Sequence, residues 1–299
     1  MENLRGIVLM VAAMAGFAVE DAIIKAVSSD LPIGQILMIL GTIGGIAFSI
    51  MARVQGARVL SRDAIAPPVL LRHLGEIVCT AGFVTAISLL PLASTSAILQ
   101  ATPLAVTLGA ALFLGEPVGW RRWTAIAAGF AGVLMVVRPG LAGFEPASIL
   151  AVIAVFGLAL RDLATRRVPS RISTTVLAAY GFIAIVPTGA VLLAITGGGT
   201  APSAGNLAAL ACASVVGLSG YYAITAAMRV GEVAVVTPFR YARLLFALIL
   251  GMTFFAERPD ALTLAGAALI IGSGLYTLVR ERQALRARRR GLSSAAPLP

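Results

Sequence analysis

The chain repeats itself at an offset of 141 residues, and each copy holds five hydrophobic segments. An odd number of membrane crossings turns the second copy upside down relative to the first, so the repeat predicts two inverted five-helix halves. The register is plainest near the start of each half. Leu9, Val11, Ala13, Gly16, Ala18, Asp21, Val27 and Ser29 recur as Leu150, Val152, Ala154, Gly157, Ala159, Asp162, Val168 and Ser170. Matches among Ala, Val and Leu are common in apolar chains. The weight therefore falls on Gly16/Gly157, Asp21/Asp162 and Lys25/Arg166, with Phe113/Phe254 and Glu116/Glu257 further along.

Of 299 residues, 59% are hydrophobic and only 12% charged, too little polar surface to coat a soluble globule. The expected fold is all-α and integral to the membrane, with ten transmembrane helices. At 1.5 Å per residue the candidate spans are 5–27, 34–52, 69–90, 94–114 and 121–138, then 147–167, 173–196, 206–229, 233–255 and 261–280. Residues 1–141 and 142–282 form the two repeats, and 283–299 a disordered basic cytoplasmic tail. The first segment reads as a span and not a cleaved leader. Its apolar run is long, carries Glu20, Asp21 and Lys25, and lacks a clear small-residue cleavage site.

A net charge of +10 would suit nucleic acid, but its distribution is that of an orientation signal. With both termini cytoplasmic, the inner side receives Arg5, Arg53, Arg58, Arg62, Arg72, Arg121, Arg122, Arg161, Arg166, Arg167, Arg171, Arg229 and the cluster Arg280–Arg290. The outer side receives only Lys25, Arg138 and Arg258. No nucleic-acid partner is implied; the lipid bilayer is. Trp120 and Trp123, flanking Arg121 and Arg122, read as interface anchors.

Catalysis finds little support. The single histidine rules out a three-histidine zinc site, and no glycine-rich phosphate loop is present. His73 and Ser214 are repeat mates, but no Gly-x-Ser-x-Gly signature surrounds the serine. Cys79 and Cys212 read as small buried apolar residues. No cofactor and no metal are called for, and the oligomeric state is not encoded in any recognisable way.

Ionisable groups inside a bilayer are costly and point to function. Asp21 with Lys25, and Asp162 with Arg166, each place acid and base one turn apart on one helix face. Inversion puts these pairs at opposite ends of one pathway, as gate contacts that exchange or as self-neutralised pairs at the interfaces. At matched depth, Glu76 and Arg240 are expected to pair and fix helix register, with Arg243 one turn deeper. The stripe His73, Glu76, Thr80 and its repeat counterpart Ser214, Gly217, Tyr221 are expected to line a central cavity, with Tyr222, Gln100 and Arg243. Pro103 and Pro238 break the ladders of the fourth and ninth spans. Gly41, Gly44, Gly45, Gly129 and Gly132 suit close helix contacts. Glu116 and Glu257, just before Pro117 and Pro259, suit the positive N-terminal end of the following helix.

The run Ala97-Ile-Leu-Gln-Ala-Thr-Pro103, then Leu112-Phe-Leu-Gly-Glu-Pro117 and the glycine-rich stretch at Gly129 and Gly132, resembles the EamA branch of the drug/metabolite transporter superfamily. The second copy, Phe254-Phe-Ala-Glu257, is a looser match. Within that branch the chain looks most like the bacterial YddG-type amino-acid exporters. The resemblance implies a multi-pass protein of the bacterial inner membrane that exports small metabolites, most often amino acids of aromatic, hydrophobic or broad type, by alternating access between the repeats. The alternatives are a drug or nucleotide-sugar carrier of the same fold and, from another class, a lipid scramblase or a non-transporting scaffold.

Overall fold

The structure is a computed structural model that describes residues 2–59, 61–116 and 118–294. Among the described residues it is helical throughout, without a strand. Eight segments are long and apolar enough to cross a membrane. They are α1 (Glu2–Val27), α2 (Ile33–Val54), α3 (Pro67–Leu89), the broken segment made of α4 (Leu92–Leu99) and α5 (Thr102–Phe113), α7 (Ser148–Thr165), α8 (Thr174–Thr196), α9 (Ala204–Val230) and the first part of α12 (Ala261–Ser294).

The other two expected spans depart for local reasons. The helix α6 (Trp120–Val137) opens on Trp120-Arg121-Arg122-Trp123, which dilutes its hydropathy. The ninth span is cut into α10 (Val233–Val236), a 3-10 turn at Thr237–Tyr241 and α11 (Ala242–Phe254). Pro238 sits in that turn and Pro103 in the first turn of α5, where a missing N–H is cheapest. The two breaks touch, because Gln100 Nε2 donates to the carbonyl of Arg240 at 3.2 Å. A backbone acceptor loosened by one break is thus satisfied from the other.

The helix α12 continues through residue 283, where the sequence predicts a disordered tail; residues 295–299 lie outside the described residues. Cys79 is buried as expected, whereas Cys212 is exposed on α9.

Packing follows the repeat. α1 lies on α9 and α3 on α7; α2 pairs with α8 and α6 with α12. Exchanging the two halves maps the first two pairs onto each other. The mapping holds residue by residue. A Cβ on Gly157 would stand 2.6 Å from Cys79 N and 3.0 Å from Gly75 O, while one on its mate Gly16 would stand 3.5 Å from Val216 O and 3.8 Å from Gly220 Cα. Cys79 and Gly220, and Gly75 and Val216, are themselves 141 apart. The approach at Gly157 needs glycine, whereas Gly16 would meet ordinary contacts, and close backbone approach is a main way apolar helices in lipid gain contact. Gly41 and Gly132 do the same work at the other interfaces: their Cβ positions fall 3.0 Å from Phe182 O and 2.7 Å from Gly266 O.

The loop before α12 carries a cap that titrates. Asp260 Oδ1 accepts from Thr263 N at 2.9 Å, and the carboxylate is held by Arg138. Arg138, with Thr263 after it, keeps the Asp260 carboxyl well below the usual carboxylate range. A depressed folded pKa adds stability that is complete above the unfolded value of about 4 and lost as pH falls through the folded one. The melting temperature of detergent-solubilised Asp260→Asn is therefore expected to trail the native protein at pH 6 and to approach it below about pH 3. A gap independent of pH would contradict the cap.

Candidate functional site

In the last two turns of α1 (Glu2–Val27), Asp21 is buried and salt-bridged across the repeat interface to Arg243 of α11. Nη2 stands 2.6 Å and Nε 3.1 Å from Oδ2. Phe17 and Phe83 face the same guanidinium, with ring centroids 5.5 and 5.4 Å from Cζ. Charge, two N–H donors and two π faces hold Arg243 in one orientation. It is therefore engaged by Asp21, where the sequence suggests an Arg243 that faces the cavity.

On the other side, Glu76 of α3 does not pair with Arg240. Its carboxylate is taken by Arg72, one turn earlier at 3.3 Å, and by Arg161 of α7 at 3.4 Å. Arg161 also grips its neighbour Asp162 at 2.9 Å, so Asp162 does not pair with Arg166. The matched depth of Glu76 and Arg240 misleads because Gly75 and Gly157 bring α7 nearer to α3 than the ninth span comes. Arg72 and Arg161, counted in the sequence as orientation charges, belong to this cluster. Arg240 makes no ion pair among the described residues, and lies within electrostatic range of Asp162, Arg161 and Arg243.

Lys25 does not pair with Asp21 either. Its Nζ donates to Ile87 O and Leu90 O, at 3.0 and 2.5 Å, and lies 3.6 Å from Glu257 Oε1. Glu257 in turn accepts from Leu92 N at 2.7 Å and Ala93 N at 3.2 Å. A cation thus sits on the last carbonyls of α3 and an anion on the first N–H groups of α4, as helix ends require. Glu257 caps a helix N-terminus, but that of α4 instead of the helix that follows it. The repeat mates of this pair, Arg166 and Glu116, also meet, at 2.7 Å. Pro117, which bears on the capping expectation for Glu116, lies outside the described residues.

The two mated bridges differ in their surroundings. Lys25 and Glu257 have side chains 14% and 8% exposed, against 48% and 43% for Arg166 and Glu116. The helices differ likewise. α1 packs on α3, and α4 on α11, whereas their counterparts, α7 with α9 and α5 with α10, form no comparable interface among the described residues. One end of the bundle is closed by a sheltered network, and the mated end stands apart.

The remaining expected cavity residues divide. His73 is buried edge-on against Tyr180 at 5.8 Å, with neither ring nitrogen bonded, and Ser214 is buried and returns its hydroxyl to Leu210 O at 2.9 Å. Both belong to packing and not to a cavity, because their ends of the stripes turn into the helix interfaces. Thr80 stands half-buried one turn past Glu76. Tyr221 packs edge-on against Phe48 at 4.9 Å, near the Arg72–Glu76–Arg161 cluster. Tyr222 is exposed beside it. Gln100 reaches the ninth-span break, as described.

One residue that the sequence reading passed over is Glu20. Its carboxylate lies flat over Gly217, where a Cβ would come within 2.5 Å of Oε1 and 2.6 Å of Oε2. The signal was available: Glu20 and Arg161 are repeat mates of opposite charge.

Comparison with known proteins gives a consistent picture. The sequence profile described as the EamA-like transporter family matches residues 4–138 and again 146–279. The chain is 28% identical to the pseudopaline exporter CntI of Pseudomonas aeruginosa over 267 residues, 89% of this chain and 93% of that one. It is 28% identical to a riboflavin transporter of Rhizobium johnstonii over 214 residues, 70% of each. To an S-adenosylmethionine uptake transporter of Rickettsia bellii it is 26% identical, over 67% of this chain and 68% of that one. A solved structure covering 93% of this chain and 98% of its own superposes with a TM-score of 0.60 at 20% identity, a likeness of fold. None of these relatives is a YddG-type amino-acid exporter by name.

Proposed function

The chain belongs to the EamA-like transporter family, and on that premise we propose that it is a secondary transporter that exports small zwitterionic metabolites, amino acids foremost. The observation that carries this reading is the ring of opposite charges where the halves meet. Asp21–Arg243 lies on one side, Glu76–Arg161 on the other, and the broken helices lie beside them. Charges at that depth are retained where cargo or ions pass, and broken helices recur at transporter sites. The mate-for-mate glycine crossings support inverted repeats, and the excess of arginine supports cytoplasmic termini. On this reading the Lys25–Glu257 end faces outward and is shut, and the Arg166–Glu116 end faces the cytoplasm.

The test is counterflow of several labelled amino acids in proteoliposomes, with and without an imposed pH gradient. Saturable exchange of more than one amino acid is expected, and the gradient arm reads coupling. Transport confined to one solute that is not an amino acid would overturn the reading. The riboflavin transporter among the relatives favours one alternative, a larger polar metabolite, and riboflavin in the same assay decides between them.

Alternating access makes a further demand. Asp162→Ala frees Arg161 from one of its two carboxylates and is expected to change both the uptake rate and the resting accessibility of the Arg166 end. Unchanged uptake in vesicles carrying Asp162→Ala would remove Asp162 from the gating cycle.

A further inference from the structure

The central charges pair off with two exceptions. Arg243 is used by Asp21, Arg72 and Arg161 by Glu76, and Asp162 by Arg161. Glu20 and Arg240 make no ion pair among the described residues, and the Glu20 carboxylate has no hydrogen bond there either. Glu20 is half-buried and Arg240 exposed, and both lie within electrostatic range of Arg243.

Repeat symmetry explains what is missing at Glu20. In the α3–α7 crossing, Arg161 faces Glu76, so acid meets base within the chain. In the mated α1–α9 crossing, Glu20 takes the position of Arg161 and Gly217 that of Glu76. There an acid faces bare backbone, and the cation that one half carries in its own sequence is absent from the other. A carboxylate left without a counter-charge among apolar helices is costly, and an incoming cation would relieve that cost. Arg240 presents the converse, a guanidinium whose carbonyl neighbour is engaged by Gln100 while its own five donors are not.

We propose that Glu20 and Arg240 are the two polar subsites of the cargo, Glu20 receiving a primary ammonium and Arg240 a carboxylate. This rests on the reading of the cargo as a zwitterion and assigns its two ends. Gly217 is then a specificity position, because any side chain there displaces the Glu20 carboxylate. The already paired groups, Asp21 and Arg243 included, shape the site without touching the charged ends of the ligand.

The test uses the purified full chain and three probes on one benzyl frame, each titrated by calorimetry: phenylalanine, phenethylamine, which lacks the carboxylate, and phenylpyruvate, in which a neutral ketone replaces the ammonium. In the native protein all three bind, phenylalanine most tightly. Glu20→Gln is expected to weaken phenethylamine at least tenfold and to leave phenylpyruvate within twofold; Arg240→Gln is expected to do the reverse. Damage to folding would weaken all three alike, so the crossed selectivity is the readout. An equal loss for all probes, unchanged binding in both variants, or no binding of any probe to the native protein would each overturn the assignment. So would a Glu20→Gln protein whose transport loses only its pH dependence while phenethylamine still binds, since Glu20 would then hold a proton and not the cargo. Crossed selectivity without phenylalanine transport would leave the subsites standing and reject the proposed function. Phenylalanine transport with unaltered selectivity would do the opposite.

Discussion

Asp21→Ala is expected to destabilise the protein by about 3–5 kcal/mol, because it leaves Arg243 buried against two phenyl rings with no counter-charge. Arg243→Ala should cost a similar amount by stranding the carboxylate. The pair contributes less than either loss suggests, since much of each penalty is desolvation of the partner left behind. The double variant Asp21→Ala/Arg243→Ala is therefore expected to be less destabilised than the sum of the singles, with a coupling of about 1–3 kcal/mol. Unfolding in detergent, monitored for all four proteins, measures that coupling. Additive losses would mean that the 2.6 Å contact contributes no energy of its own.

The second large effect concerns the closed end. Glu257→Ala removes the counter-charge of Lys25 and uncaps Leu92 and Ala93 at once, and the pair is sheltered enough for the loss to reach about 3 kcal/mol. The free energy holding α1, α3, α4 and α11 together falls by that amount. A cysteine introduced by Val84→Cys, in α3 one turn before Ile87, should then be alkylated at least tenfold faster than in the native background. Glu116→Ala breaks the mated bridge, but in water, where such pairs contribute at most about 1 kcal/mol. It should change labelling at Val84→Cys less than twofold. Equal responses from the two variants would contradict the inequality of the two ends.

Eight long apolar segments and the two breaks are legible in the sequence because hydropathy and proline act locally. Pro103 and Pro238 interrupt their spans wherever those spans pack. The charge partners are not legible that way. Spacing of four residues suggests Asp21–Lys25 and Asp162–Arg166 within one helix, but Asp21 takes Arg243 of α11, Asp162 takes its own neighbour Arg161, and both bases choose glutamates at the ends of other spans. Those choices depend on which helices touch, and that is set by Gly16, Gly75, Gly157 and Gly220, whose pairing a single sequence does not announce. Arg72 and Arg161 illustrate the same limit. Counted along the chain they are cytoplasmic charges, and only the close α3–α7 crossing turns them inward onto Glu76. His73 errs in the other direction, a polar residue absorbed by packing against Tyr180.

The glycine crossings bear on how the proposed alternation would proceed. Were the halves to alternate as proposed, the Gly16 and Gly157 crossings would serve as pivots, with α1 and α7 as levers. Lys25 lies nine residues beyond Gly16, a lever arm of about 13 Å at 1.5 Å per residue. A swing of about 20° about that point carries the lysine about 5 Å, well past hydrogen-bond reach of the α3 carbonyls it now holds. In the proposed cycle, modest rotation at a glycine contact would release one end of the molecule, and the same geometry on α7 would engage the other.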